Sequence, residues 1–152
     1  VVVDLKRQRV KLIQDGWVAL DIPCCTGKKG KETPIGEFTI TEKVRDKRSN
    51  LFGQLFDEEG ELLHAGDRRK YKEEFHRYEG YSIPFWMRLN NDGIGMHESK
   101  SIYRSPSSNG CIRLPKKAAE ELYHLVETGT AVCVDDDPRL YYKRWFAFRA
   151  VK

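Results

Sequence analysis

Only one stretch of this 152-residue chain repeats its apolar side chains at helical spacing. Ala118, Ala119, Leu122, Leu125 and Val126 form a stripe that predicts a single amphipathic helix. Pro115 opens it at the first helical position, where a missing N–H costs nothing, and Gly129 is the expected C-cap. Elsewhere the apolar runs are short and often β-branched, and Gly, Pro, Asn and Asp interrupt them at close intervals. A chain punctuated in this way has to bury its apolar residues through many short strands. Seven or more strands with one principal helix are expected, a mainly β class built as a sandwich or partly closed barrel. The length suits one domain over residues 1–152 with one core.

Residues 1–13 read as one strand, Asp15-Gly16 as a hairpin turn, and residues 17–23 as the returning strand. Gly27, Gly30, Pro34 and Gly36 then punctuate a loop that opens into a strand from Glu37 to Thr41. Gly30-Lys31 invites a phosphate-loop reading, which would need glycine at position 25 and Ser or Thr at position 32. Cys25 and Glu32 stand there, so that reading fails. Residues of about 42–80 are polar, with a short hairpin turning at Glu59-Gly60 and then a charged loop holding one helical turn. An insertion this long in a compact domain reads as a lid or binding loop. Phe52, Phe56, Tyr71, Phe75 and Tyr78 would pack it over a groove. Further strands are expected at Phe85 to Leu89, at Ile94 to His97 after the turn Asn91-Asp92-Gly93, and at 131–135. The aromatic and basic tail, about 136–152, would add one more strand or wrap the body.

Several function classes are disfavoured. No run approaches the roughly 18 apolar residues of a membrane span, and residues 1–4 read as strand rather than signal peptide. The net charge is +4. The clusters Lys28, Lys29, Lys31 and Arg68, Arg69, Lys70, Lys72 read as solvated loops rather than a nucleic-acid surface, with an anionic cell-wall polymer left open as a partner. The four cysteines form no CxxC pair and no zinc-finger set. His64, His76 and His124 have no second ligand at metal spacing, so neither metal nor cofactor is expected.

Residues 93–114, GIGMHESKSIYRSPSSNGCIRL, carry the most suggestive chemistry. His97 precedes Cys111 by enough chain to leave a strand, loop over and return alongside it. An ordinary thiol is only a few per cent thiolate at neutral pH, so a nearby imidazole is needed to take its proton. Gly110 uncrowds the nucleophile and permits a turn in which the N–H groups of Gly110 and Cys111 form an oxyanion hole. Arg113 offers a planar fork for a carboxylate, on the same side as Cys111 if the segment is extended. From these residues alone two readings stay open: a nucleophile with its base, or a structural strand end before a helix.

The sequence resembles the L,D-transpeptidase catalytic domain, often called the YkuD domain, over residues 1 to about 135. The matching segments are the opening hairpin, the block TGKKGKETPIGEFTI, IPFWMRL, GIGMH followed by SSNGCIRL, and the helix ending in ETGTAVCV. The resemblance implies a mainly β fold with a groove under a lid. It also implies acyl transfer on peptidoglycan tetrapeptide stems, with the terminal D-alanine released and a 3→3 cross-link formed. Water as acceptor would make it an L,D-carboxypeptidase. Cys111 matches the nucleophile, His97 the general base, Gly110 the nucleophile turn, Ser108 the family's hydroxyl and Arg113 a substrate-carboxylate residue. Trp86 and Met96 complete the expected substrate-binding set. Carbapenems are implied as inhibitors, and an exported, periplasmic or wall-associated location follows from the family. One position departs: the family usually has histidine immediately before Gly-Cys, where this chain has Asn109. Asparagine can donate a hydrogen bond but accepts no proton at neutral pH, so an impaired wall-binding homologue is the alternative.

Overall fold

The computed structural model describes residues 1–139 and 142. Twelve strands lie among them: β1 (Val2–Asp4), β2 (Arg9–Gln14), β3 (Trp17–Pro23), β4 (Gly36–Thr39), β5 (Glu42–Val44), β6 (Arg48–Phe56), β7 (Leu62–Asp67), β8 (Arg77–Ser82), β9 (Trp86–Arg88), β10 (Gly95–Glu98), β11 (Ile112–Leu114) and β12 (Ala131–Asp135). One α-helix, α1 (Lys116–Leu125), joins the last two. The strands form three sheets, ordered β3-β2-β1-β12-β4, β11-β10-β9-β5 and β7-β6-β8. The fold is mainly β as expected, and no sheet closes into a barrel among the described residues. The tail expected to form a strand or wrap the body lies outside the described residues beyond Arg139, Tyr142 excepted.

The expected first strand is two strands. The chain reverses between Asp4 and Arg9, and β1 pairs antiparallel with β2, Val3 opposite Val10. No Gly or Pro marks this turn. It is held by Asp4, whose carboxylate accepts from the Arg7 N–H at 2.9 Å, and by Gln8, which adopts φ 53°. The buried Gln8 amide donates to the Leu5 carbonyl and to Thr26 Oγ1, both at 2.7 Å, and its Oε1 accepts from the Thr26 N–H at 2.9 Å. A buried polar group left without its partner costs about 1–3 kcal/mol. Gln8→Ala strands the Thr26 N–H, so urea unfolding of that variant is expected to show a loss of that size.

The insertion is more regular than its sequence suggests. Its hairpin does turn at Gly60, which has φ +84°. Residues 77–80, expected as charged loop, instead form the greater part of β8, which pairs with β6. Alternation there is weak because most of β8 is exposed, so the pattern carried little signal. Residues 42–44 belong to the sheet of β9 rather than to the insertion.

The helix is shorter at both ends than expected. Pro115 is the N-cap, with φ −60° and ψ 147°, and α1 begins one residue later. Val126 ends it, while Gly129 (φ +96°) sits in the following turn and donates its N–H to the Ile40 carbonyl at 2.7 Å. Ala119, Leu122 and Val126 are buried, whereas Leu125 is 47% exposed. Lys43 Nζ caps the helix end through the Val126 carbonyl at 2.7 Å and lies 4.1 Å from the Tyr123 ring centroid. The core is built from Val3, Val10, Met87, Met96, Ile112, Leu114, Leu122, Val132 and Val134, among others, which joins two of the sheets to the helix.

Candidate active site

Strand β10 is antiparallel to β9 and parallel to β11. Parallel neighbours need a crossover of about a dozen residues, and residues 99–111 supply it here. This topology sets the spacing between His97 and Cys111. The register places His97 directly across from Arg113. Cys111 immediately precedes β11 and lines the same groove as His97.

The turn that carries Cys111 is clamped by the glycine-proline block. Cys25 and Arg113 exchange backbone hydrogen bonds at 3.0 and 2.9 Å. The Ser107 and Ser108 N–H groups donate to the Thr26 carbonyl, and the Lys28 N–H donates to the Ser108 carbonyl. Thr33 Oγ1 accepts from the Gly27 N–H at 3.0 Å and donates to the Gly110 carbonyl at 2.6 Å. A loop that looks like a spacer in the sequence is thus a cradle. Gly110 has φ +122°, which favours glycine, and a Cβ there would meet Ile94 Cδ1 at 2.8 Å.

A groove of about 1000 Å³ runs past this turn. Cys111, His97, Asn109, Ser108, Arg113 and Trp86 line it, and so do residues of the three-stranded sheet such as Ser49, Phe52 and Tyr81. Met96, expected to bind substrate, does not. It is 0% exposed in the core, because neighbouring residues of a strand point to opposite faces and His97 takes the groove side. Ser108 is 1% exposed, and its hydroxyl is spent inside the turn. It donates to the Cys111 carbonyl at 2.6 Å and accepts from the Gly110 N–H at 3.1 Å. That second bond corrects the expected oxyanion hole. The Gly110 N–H is engaged, whereas the Cys111 N–H has no acceptor among the described residues. The exposed Asn109 side chain makes no hydrogen bond among them either, so its amide is a free donor beside the thiol.

His97 is fixed by a backbone group that residue types cannot reveal. Its Nδ1 lies 2.7 Å from the Glu98 carbonyl oxygen, which only accepts, so Nδ1 carries the proton and Nε2 the lone pair. Glu98 therefore contributes its carbonyl and not its carboxylate. The Trp86 ring lies beside the imidazole, 6.2 Å between centroids, with its Nε1 donating to Glu42 Oε2 at 3.0 Å. Arg88 was missed in the sequence. It ion-pairs with Glu42 at 2.8 Å and lines the groove. The signal was a charge interrupting an otherwise apolar strand.

Electrostatically, both members of the pair are held neutral. Burial pushes the His97 pKa down to about 4; the Glu98 hydrogen bond opposes this and the Arg113 charge adds to it. Burial also raises the Cys111 thiol, against a backbone hydrogen bond from Gly95 and the charges of Arg113 and Arg88. The thiol donates to the Gly93 carbonyl at 3.4 Å. Above the ordinary histidine value of 6.5, His97 is neutral whether folded or not, and it adds no pH dependence to folding. Between 6.5 and about 4 the unfolded chain takes up the proton and the folded chain does not. Stability should therefore fall with pH across that window, by up to about 3 kcal/mol. Urea midpoints at pH 7 and 5 are expected to differ less in His97→Gln than in the wild type.

None of the four cysteines forms a disulfide among the described residues. Among the described residues no group of three or more His, Cys, Asp or Glu side chains is placed to hold a metal ion, and no helix is long and apolar enough to cross a membrane.

The family described as the L,D-transpeptidase catalytic domain, YkuD, matches residues 1–134. Among solved structures, an L,D-transpeptidase from Stackebrandtia nassauensis is 23% identical with a TM-score of 0.65, covering 90% of this chain and 54% of its own. The catalytic domain of the Enterococcus faecium L,D-transpeptidase is 26% identical with a TM-score of 0.63, covering 88% of this chain and 94% of its own. The Ldtfm-avibactam carbamoyl enzyme is also 26% identical at a TM-score of 0.63, covering 88% of this chain and 47% of its own. The chain thus spans about half the length of the first of these proteins. No curated protein matches it.

Proposed function

This chain belongs to the L,D-transpeptidase catalytic domain family, and from that premise we propose that it is a cysteine acyltransferase acting on peptidoglycan tetrapeptide stems. The observation that carries the reading is the Nδ1–H bond from His97 to the Glu98 carbonyl, which leaves Nε2 as the basic nitrogen in the groove that holds Cys111. A neutral imidazole and a neutral thiol in one groove suit general-base attack.

The thiol proton leaves the Gly93 carbonyl for His97 Nε2 as Sγ attacks the carbonyl of the third, L-centred residue. The oxyanion meets the Cys111 N–H and, in place of a histidine donor, the Asn109 amide. The imidazolium then protonates the departing D-alanine amine, and a thioester remains on Cys111. An amine from a neighbouring stem, its proton taken by Nε2, displaces the thiolate and closes a 3→3 cross-link. Water in that step gives hydrolysis instead. Asn109 need not accept a proton in any step, which favours this reading over an impaired homologue. In this reading residues 1–152 form one catalytic unit, the three-stranded sheet covers the bound stem as a lid, and the substrate places the enzyme outside the cytoplasmic membrane.

Intact-protein mass after incubation with a carbapenem, together with exchange of the terminal D-alanine for a labelled D-amino acid, tests this reading. A Cys111-dependent adduct and exchange are expected. Absence of both in the wild type would sink it, and recovery on Asn109→His would then mark the impaired homologue.

A further inference from the structure

We propose that the groove selects stem peptides by their free carboxylates, taking unmodified stems in preference to amidated ones; this rests on the acyl-transfer reading above. Six cationic side chains line it, Lys31, Lys47, Arg69, Arg88, Lys100 and Arg113, against two anionic ones, Asp92 and Glu98. The excess of six minus two equals the net +4 of the whole chain, so the remainder of the molecule balances.

Two of the six are committed elsewhere: Arg69 pairs with Asp67, and Arg88 with Glu42. Lys31, Lys47, Lys100 and Arg113 form no salt bridge among the described residues, although the Lys47 charge also acts on Glu42. These four come from separate parts of the chain and converge on the thiol's surroundings. Lys31 belongs to the cradle, its carbonyl oxygen 3.6 Å from where a Gly110 Cβ would stand. Lys47 precedes β6, its carbonyl bound by the Ile83 N–H at 2.9 Å. Lys100 follows Ser99, whose N–H donates to the Leu114 carbonyl at 2.9 Å. Arg113 stands across from His97.

A concave site with an excess of one sign of charge concentrates ligands of the other sign. One carboxylate, that of the departing D-residue, needs one cation. Four unpaired cations fit a peptide with at least one more, such as the side-chain carboxylate of a diamino diacid in the third position. Amidating that carboxylate removes a charge that the groove is built to meet.

The test compares two tetrapeptides that differ only by amidation of this side-chain carboxylate, in the D-amino-acid exchange assay at about 0.05 and 0.5 M salt. The free acid should have the higher kcat/KM, by about fivefold or more at low salt, with the ratio shrinking at high salt. Lys47→Met and Lys100→Met, both at the groove surface, should each narrow the ratio about two- to threefold. Equal kcat/KM values, or a preference for the amide, would overturn the proposal. If neither peptide is exchanged, the acyl-transfer reading has failed, and affinity of the same two peptides for Cys111→Ser decides the charge preference. Tighter binding of the acid then supports it, and equal binding overturns it.

Discussion

Replacing His97 by alanine is expected to slow acylation of Cys111 by about 100- to 10 000-fold, the range for loss of a positioned general base. The expectation follows from the neutrality of the pair. Burial raises the thiol and pushes His97 down to about 4, so a preformed thiolate–imidazolium pair is scarce and the base has to act during attack. The pH dependence should show this directly. Wild-type acylation should hold down to about pH 5 and fall only as His97 protonates near 4, whereas an ordinary imidazole would lose half its activity at 6.5. In His97→Ala the acid limb should vanish and the residual rate should climb with pH as thiolate forms. Time-resolved intact mass with a carbapenem measures both, and a wild-type rate in His97→Ala would overturn the assignment of the base.

Gly27→Ala is expected to cost heavily in stability. A Cβ at position 27 would stand 1.9 Å from the Lys31 carbonyl oxygen, 2.7 Å from the Thr33 nitrogen and 2.9 Å from the Glu32 carbonyl carbon. All three are backbone atoms and cannot swing aside, so the cradle has to open. Opening it breaks the Gly27 N–H bond to Thr33 and, through Thr33, the hold on the Gly110 carbonyl. A loss of about 3 kcal/mol is expected, with acylation falling as the nucleophile turn loses its support. Gly30→Ala is the control: its φ of +82° strains an alanine, but nothing lies within 4 Å. It should cost only about 1 kcal/mol. Urea unfolding at pH 7, above the window in which His97 titrates, compares the two.

The candidate site was legible in the sequence where it is made of side chains and hidden where it is made of backbone. Cys111, His97 and Arg113 are found by residue type, and the structure puts His97 and Arg113 on two adjacent strands, Cys111 just before the second, all three lining one groove. The Glu98 carbonyl that orients His97, and the engaged N–H of Gly110, have no signature in residue identity. Met96 was misplaced for a related reason: position in a short strand says that neighbours alternate, not which of them meets the groove. Among the elements, the turn between Asp4 and Arg9 escaped because side-chain hydrogen bonds stand in for glycine there, and β8 escaped because it is mostly exposed. The glycine-proline block was legible as irregular chain, but its role depends on partners some eighty residues away.

Strand β1 pairs with its neighbour in sequence, β2, on one side and with β12 on the other, Val2 opposite Cys133. The Leu5 N–H reaches the Asp135 carbonyl, and the Cys133 N–H reaches the Val1 carbonyl. During synthesis the opening hairpin can form early, but its inner edge stays unpaired until β12 has been made, and pairings this distant in sequence are slow to close. The turn at Gln8 belongs to that hairpin and holds Thr26, and the Thr26 carbonyl holds the N–H groups of Ser107 and Ser108. The setting of Cys111 is thus drawn from segments some eighty residues apart and not from its own loop alone.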